Sequence, residues 1–241
     1  MHFARTAVPH ENKSADPIGD IFGNLEGSRP GLDELGDEAE SVRDGPWKLR
    51  RSLQALLGDE DGLARVAKRS AYHANGFAKI VLHLGADCGV RLHVWRPRHR
   101  LGTRPPDPHG HRWEFASWVV TGVLREVRYA EAPAGELFEV RDYGRRPDGS
   151  IFCHPNGSVT LAPVQLVYRS AGEVYRCERS VWHTAAPAGG GLAASLVLQG
   201  ERSIGSTKVY RRPGRPANGH EPSLSPGELR LLLGDVVATI R

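Results

Sequence analysis

Two histidines separated by one residue, His109 and His111, are the residues of this chain best placed to do chemistry. Residues i and i+2 of a β-strand point to the same face, so both imidazoles can approach one point. A third histidine, His183, lies much further along the chain and can reach that point from another strand. Three imidazoles leave other coordination positions open, as a catalytic metal requires. The spacing therefore predicts a metal centre.

Each histidine also has a simpler interpretation. His109 and His111 could lie in an exposed Pro-His-Gly-His loop, and His183 could be a core histidine beside Trp182. His93 could line the same pocket or be a satisfied core group. The sequence alone leaves these alternatives open.

The spacing of apolar residues changes along the chain from that of helices to that of β-strands. Residues 1–45 are poor in aromatic residues and predict a flexible or draped arm with a short helix near 32–42. Residues 46–72 predict a helical segment, with one helix over 47–57 and a second that Asp59 caps.

From residue 73 to 212 the period becomes that of β-strands, with turns rich in Gly, Pro, Asn and Asp. A polar linker then leads to a helix over 226–240, opened by a capping box at Ser225 and Glu228, within a C-terminal segment 213–241. The pattern predicts an all-β core, a sandwich or barrel, with flanking helices. The predicted strands are 77–84, 90–95, 113–121, 123–130, 136–143, 150–153, 158–161, 164–169, 172–177, 180–185, 192–199 and 206–211.

The composition narrows the classes of partner. No run of apolar residues is long enough to span a membrane, and the N-terminus lacks a signal-peptide core, so we expect no membrane partner. Three cysteines without Cys-x-x-Cys fit a reducing cytosol, so we expect a cytoplasmic protein. The net charge of +4 could favour an anionic small molecule or be an ordinary basic surface. No nucleic-acid signature accompanies it, and we expect no nucleic-acid partner.

The histidine pair followed by Gly122 resembles the first motif of the cupin superfamily, and Trp182-His183-Thr184 is similar to the second. The resemblance implies a cupin double-stranded β-helix (jelly-roll) barrel that holds one divalent metal. Where cupins carry a glutamate ligand, this chain has Phe115. Alternation places Glu114 on the opposite face, although a β-bulge would bring it round as an alternative ligand. We expect three histidines without a carboxylate.

A three-histidine cupin with N-terminal helices is similar to the cysteine dioxygenase branch, over roughly residues 47–211. Arg91-Leu-His-Val-Trp95, Gly122-Val-Leu-Arg-Glu126 and His183-Thr184 carry this likeness. Lys79 falls near that family's substrate-binding arginine. The family's Ser-x-His-x-Tyr relay reads Ser195-x-Val197-x-Gln199 here, and its crosslinking cysteine is replaced by Phe115 or Ala116.

The resemblance implies a mononuclear non-haem Fe(II)-dependent oxygenase that acts on O₂ and a small, anionic metabolite. Histidine ligands also suit Zn, Ni, Mn or Cu. The alternatives are an O₂-independent metal-dependent isomerase, epimerase or lyase, and a non-enzymatic cupin that binds a small ligand. We expect a monomer or homodimer. The catalytic residues are unknown, and the candidate substrate-binding residues are Lys79, Arg91, His93, Arg125 and Gln199.

Overall fold

A computed structural model of the protein describes residues 18, 22, 25, 27–85, 87–97, 105–146, 150–202, 205–214 and 221–241. Most of the predicted arm before residue 27, and residues 215–220 of the predicted linker, lie outside the described residues. The fold is a double-stranded β-helix barrel with helices on its outer face, as the sequence predicts.

The described residues contain four helices, and these follow the predicted ones closely. They are α1 (Leu32–Asp44), α2 (Pro46–Gly58), α3 (Glu60–Lys68) and α4 (Pro226–Val237). Asp59 caps α3 by accepting a hydrogen bond from the backbone N–H of Gly62 at 2.9 Å. Ser225 and Glu228 form the predicted capping box of α4. Within this described part, no helix combines the length and apolar character needed to cross a membrane.

Helix α1 lies within the stretch predicted as an arm, near the short helix expected there. Its apolar face, with Leu35 and Ala39, is buried against the barrel. Its acidic face is tied to the barrel by Arg176, whose guanidinium contacts Asp37 at 2.9 Å and Glu40 at 3.1 Å. This part of the arm therefore packs as a helix on the outer sheet.

The strands form two antiparallel sheets. They are β1 (Ala71–His73), β2 (Phe77–Leu84), β3 (Gly89–Trp95), β4 (Phe115–Thr121), β5 (Val123–Arg145), β6 (Ile151–Ser170), β7 (Val174–Cys177), β8 (Trp182–Pro187), β9 (Ala193–Gln199) and β10 (Ser206–Arg211). The first sheet has the order β1-β2-β3-β9-β4-β7, and the second has the order β10-β5-β6 with β8 also paired to β5.

Two predicted groups of short strands are in fact single long strands. Segments 123–130 and 136–143 belong to β5, and 150–153, 158–161 and 164–169 belong to β6. The Ala-Pro-Ala-Gly stretch predicted as a turn lies at an irregularity of β5, where Glu131 and Glu136 both pair with Leu161. A proline has no N–H to give to a ladder, but a bulge or a sheet edge tolerates it.

The alternation of side chains separates two cores. On the first sheet, one face packs against the helices through residues such as Leu92 and Leu196. The other face meets the second sheet. Between the two sheets lies the barrel interior, whose buried residues include Phe77 and Phe115 from the first sheet and Leu124 from the second. The candidate site lies in this interior.

Gly122 joins β4 to β5, where the chain passes from one sheet to the other. Its φ is +78°, a left-handed conformation that favours glycine. A Cβ there would lie 2.6 Å from the carbonyl oxygen of Leu192. The glycine of the predicted motif is therefore required by both conformation and space.

Candidate metal centre

His109, His111 and His183 meet at one point of the barrel interior. One ring nitrogen of each lies within 4.8 Å of the others, and the Nε2 atoms of His111 and His183 are 3.0 Å apart. His109 and His183 face each other and exchange two backbone hydrogen bonds, each 3.1 Å long. His109 also bridges to Val209 of β10. The segment that carries His109 is thus fixed between β8 and β10.

Two of the three imidazoles have a polar partner at Nδ1. The Nδ1 atom of His183 is 3.4 Å from a carboxylate oxygen of Glu126, and that of His109 is 3.2 Å from the carbonyl oxygen of Asp107. The Nδ1 of His109 is also 3.3 Å from the amide Nδ2 of Asn75, which is a donor, so we assign the ring proton to Nδ1 for His183 alone, whose partner there is an acceptor. This tautomer leaves Nε2 free to bind a metal.

The interior keeps His109 and His111 neutral. Burial, followed by the nearby His183, lowers the pKa of His109 to about 3. Burial, followed by His109 and His183, holds the pKa of His111 well below its ordinary value. A histidine must be neutral to bind a metal, so both rings are ready at neutral pH.

Glu126 is a buried carboxylate that stays ionised. Burial raises its pKa, but the hydrogen bonds from His183 and Arg128 outweigh burial and bring the pKa to about 2. The Nε of Arg128 donates to Glu126 at 2.9 Å, and the Nε of Arg169 donates to the other oxygen at 3.1 Å. The carboxylate thus fixes the orientation of His183 while two guanidinium groups balance its charge.

Phe115 occupies the position at which the cupin motif has a glutamate ligand. The ring of Phe115 lies 4.9 Å from that of His111 and 6.0 Å from that of His183, between centroids. Glu114 points elsewhere, since its carboxylate lies 3.9 Å from the guanidinium of Arg179. The structure does not bring Glu114, the alternative ligand, to the three histidines.

The histidines open onto a small cavity of about 50 Å³. Its volume is on the scale of a few water molecules. Of the candidate substrate-binding residues, Arg91 and His93 line it. The residues that line it are Asn75, Phe77, Arg91, His93, Trp95, His109, His111, Trp113, Phe115, Tyr175, His183, Ala185, Ser195 and Val197.

The structure places the other three candidate substrate-binding residues elsewhere. Lys79 is bound by the carboxylate of Glu221 at 2.7 Å. Gln199 is buried opposite Gly89 and is absent from the cavity lining. Arg125 is exposed on the outer face of β5, because its neighbours on that strand, Leu124 and Glu126, both point inward.

Glu126 is the site residue that sequence analysis did not assign a role. It lies between Leu124 and Arg128 on the inward face of β5, directly opposite Ala185 of β8. A single acidic residue on the buried face of a strand needs a polar partner. Its position on that face is the signal that could have identified Glu126. Its partner, His183, is 57 residues away and only the fold shows the pairing.

The donor set fits a metal ion. Nitrogen atoms bind such an ion at about 2.1 Å, so the 3.0 Å between two Nε2 atoms allows both to bind one ion. The neutral rings of His109 and His111 and the oriented Nδ1 of His183 are features that metal-binding histidines have. The fold and site together define a double-stranded β-helix protein with a three-histidine group that could hold a metal.

Comparisons with known proteins find similarity in solved structures alone. No protein-family model matches the chain, and no curated protein sequence does. An oxalate oxidase is 16% identical over 69% of this chain and 75% of that one, with a TM-score of 0.34. A protein with a double-stranded beta-helix domain from Klebsiella pneumoniae is 12% identical over 61% and 94%, with a TM-score of 0.33.

A third similar structure is the oxalate decarboxylase of Lactobacillus farciminis in a formate complex. It is 11% identical over 56% of this chain, with a TM-score of 0.32, and the chain spans 31% of its length. Similarity at this level identifies neither the metal nor the reaction of the present protein.

Proposed function

We propose that the protein is a mononuclear non-haem Fe(II)-dependent oxygenase that acts on a small, anionic metabolite. The observation that carries this proposal is the meeting of His109, His111 and His183 on a cavity wall, with Phe115 where a carboxylate would stand. Three neutral ligands leave the charge of a divalent ion uncompensated, which favours an anionic substrate. The partners in this proposal are that substrate and O₂.

The chain's own residues would hold, orient and shield the ion. The three histidines would bind it, and Glu126 would keep His183 in the required tautomer. Fe(II) bound there would supply open coordination positions and the electrons that activate O₂. Aromatic side chains around the cavity, including Trp113 and Phe115, would limit the entry of water.

In metal chemistry, the proposal places the protein with the cysteine dioxygenase-like cupins that it resembles, because its site has three histidines. A thiol substrate is not part of the proposal. At the relay positions of that family the cavity has Ser195 and Val197, and neither Val197 nor Gln199 can carry a proton.

Metal analysis combined with O₂ uptake tests this proposal. Protein reconstituted with Fe(II) without oxygen should bind one ion per chain and consume O₂ when a small acidic metabolite from a screened set is added. His183→Ala should lose both the ion and the uptake. Glu114→Gln should keep both, because Glu114 contacts Arg179 and not the histidines.

Other outcomes would point to the alternative functions. Turnover with Zn, Ni, Mn or Cu in the absence of O₂ would contradict an oxygenase and indicate a metal-dependent isomerase or lyase. Ligand affinity that survives removal of the metal, without turnover, would indicate a binding protein. Equal metal content in wild type and His183→Ala would contradict the metal centre itself.

A further inference from the structure

Strand β3 carries a row of nitrogen atoms that have no hydrogen-bond partner in the described part of the chain. Arg91, His93 and Trp95 alternate along the strand and all line the cavity. The Nε of Arg91, the Nε2 of His93 and the Nε1 of Trp95 are each shielded from solvent and unpaired among the described residues. Buried polar atoms are nearly always paired, so three together on the wall of one cavity offer hydrogen bonds to a molecule bound there.

The chemistry of this row defines what it can bind. The N–H groups of arginine and tryptophan only donate hydrogen bonds, and the remaining nitrogen of His93 can donate as well. A ligand along β3 must therefore supply acceptors. An arginine Nε–H belongs to an edge of the guanidinium that can hold a carboxylate with two parallel hydrogen bonds.

Arg91 is distinctive among the inward-facing cations. Lys79 is paired with Glu221, and Arg169 with Glu126. Arg91 has no carboxylate within salt-bridge distance in the described part of the chain, and its guanidinium lies 4.7 Å from the centre of the Trp113 ring.

Further positive charge surrounds Arg91. The guanidinium carbons of Arg112 and Arg202 lie 5.4 Å and 5.7 Å from the centre of the same Trp113 ring. Burial, followed by these two arginines, lowers the pKa of Arg91 to about 10. The carboxylate of Glu221 acts on this pKa in the opposite sense, and Arg91 remains charged at neutral pH.

Trp113 links this positive group to the histidines. Its ring lies 5.9 Å from that of His111, between centroids, while Arg91 contacts it at 4.7 Å. The cavity therefore has a histidine end and an arginine end that border the same indole. A short molecule can contact both ends.

We propose that Arg91, assisted by the N–H groups of His93 and Trp95, binds a carboxylate of the substrate while a second oxygen-bearing group of the same molecule lies at the three histidines. The ligand class is thus a short-chain dicarboxylate. This inference deepens the proposed function. It rests on that function only in placing the ligand's second oxygen-bearing group at the three histidines. Arg91 determines specificity and takes no part in bond breaking.

Titration calorimetry with malonate, succinate and glutarate tests this, using full-length protein with Zn(II) bound and without metal. We expect at least one acid to bind the wild type, and Arg91→Gln to weaken binding about tenfold or more in both forms. Arg91→Lys should fall between them, because it keeps the charge and loses the two-pronged geometry. Arg125→Gln, the same change on the exposed outer face, should bind like the wild type.

Three binding results would overturn the inference. They are equal affinity of wild type and Arg91→Gln for every acid, binding of none of the acids, and Arg91-dependent binding of inorganic phosphate alone. Thermal unfolding of each variant separates lost binding from lost folding, and Arg91→Lys supplies the test if Arg91→Gln does not fold. Arg91-dependent binding without O₂ uptake would leave the inference standing and contradict the oxygenase. O₂ uptake that Arg91→Gln leaves unchanged would contradict the inference and leave the oxygenase proposal standing.

Discussion

At the scale of residues, the candidate metal centre depends on how a few side chains are held in place. Nε2 of His183 points to the other histidines because its Nδ1 faces Glu126 at 3.4 Å. Glu126 in turn is held by Arg128 and Arg169. A carboxylate behind a metal-binding histidine fixes the ring and raises its basicity. The strength of metal binding should therefore depend on a residue that does not touch the metal.

Replacing Glu126 by Gln should weaken metal binding about tenfold to a hundredfold, because the acceptor behind His183 loses its charge. Competition with a chelator of known affinity measures this. Glu173→Gln is the matched control, since Glu173 contacts Arg169 at 3.8 Å but not His183. Equal metal affinities for the two variants would mean that Glu126 serves the fold alone.

At the scale of elements, the position of the site depends on where strands turn and which face each residue takes. The spacing of His109, His111 and Gly122, with His183 further along the chain, was enough to predict the histidine group. The lengths of β5 and β6 could not be predicted, because their prolines and glycines resemble turns. The pairing of Lys79 with Glu221 joins residues 142 positions apart, and local sequence holds no sign of it.

The crossing at Gly122 gives a prediction for stability. Gly122→Ala should lower the free energy of unfolding by about 2 to 3 kcal/mol, combining left-handed strain with the clash against Leu192. Gly157→Ala is the control, because Gly157 has a φ of +80° and a Cβ there would meet nothing within 4 Å. It should lose about 1 to 2 kcal/mol through strain alone. Urea denaturation that gives equal losses would contradict the close contact at Gly122.

At the scale of the whole molecule, helices cover one face of the first sheet, and the barrel encloses the cavity that His109, His111 and His183 line. The all-β core with flanking helices was predictable, because helical spacing gives way to alternation near residue 73. The charge of the barrel interior was not predictable, because it depends on which arginines form an ion pair with a carboxylate in the folded chain. Arg91 does not find one among the described residues, and the barrel keeps several histidines neutral inside it.

Those neutral histidines make the metal-free protein sensitive to acid. Burial lowers the pKa of His109 to about 3 and holds those of His73, His93 and His111 well below normal. In the unfolded chain they titrate near about 6.5. Below that pH the unfolded state binds more protons, so stability should be full above about 6.5 and fall steadily toward about 3. Urea midpoints across this range measure it, and a flat profile down to about pH 5 would contradict neutral burial.

The central claim is that three histidines, without a carboxylate, bind one metal ion inside the barrel. A crystal structure of the iron-reconstituted protein, with anomalous diffraction at the iron absorption edge, tests it most directly. We predict one anomalous peak per chain, bonded to one ring nitrogen each of His109, His111 and His183 and to no carboxylate. A peak bonded to Glu114, or no peak at these histidines, would contradict it.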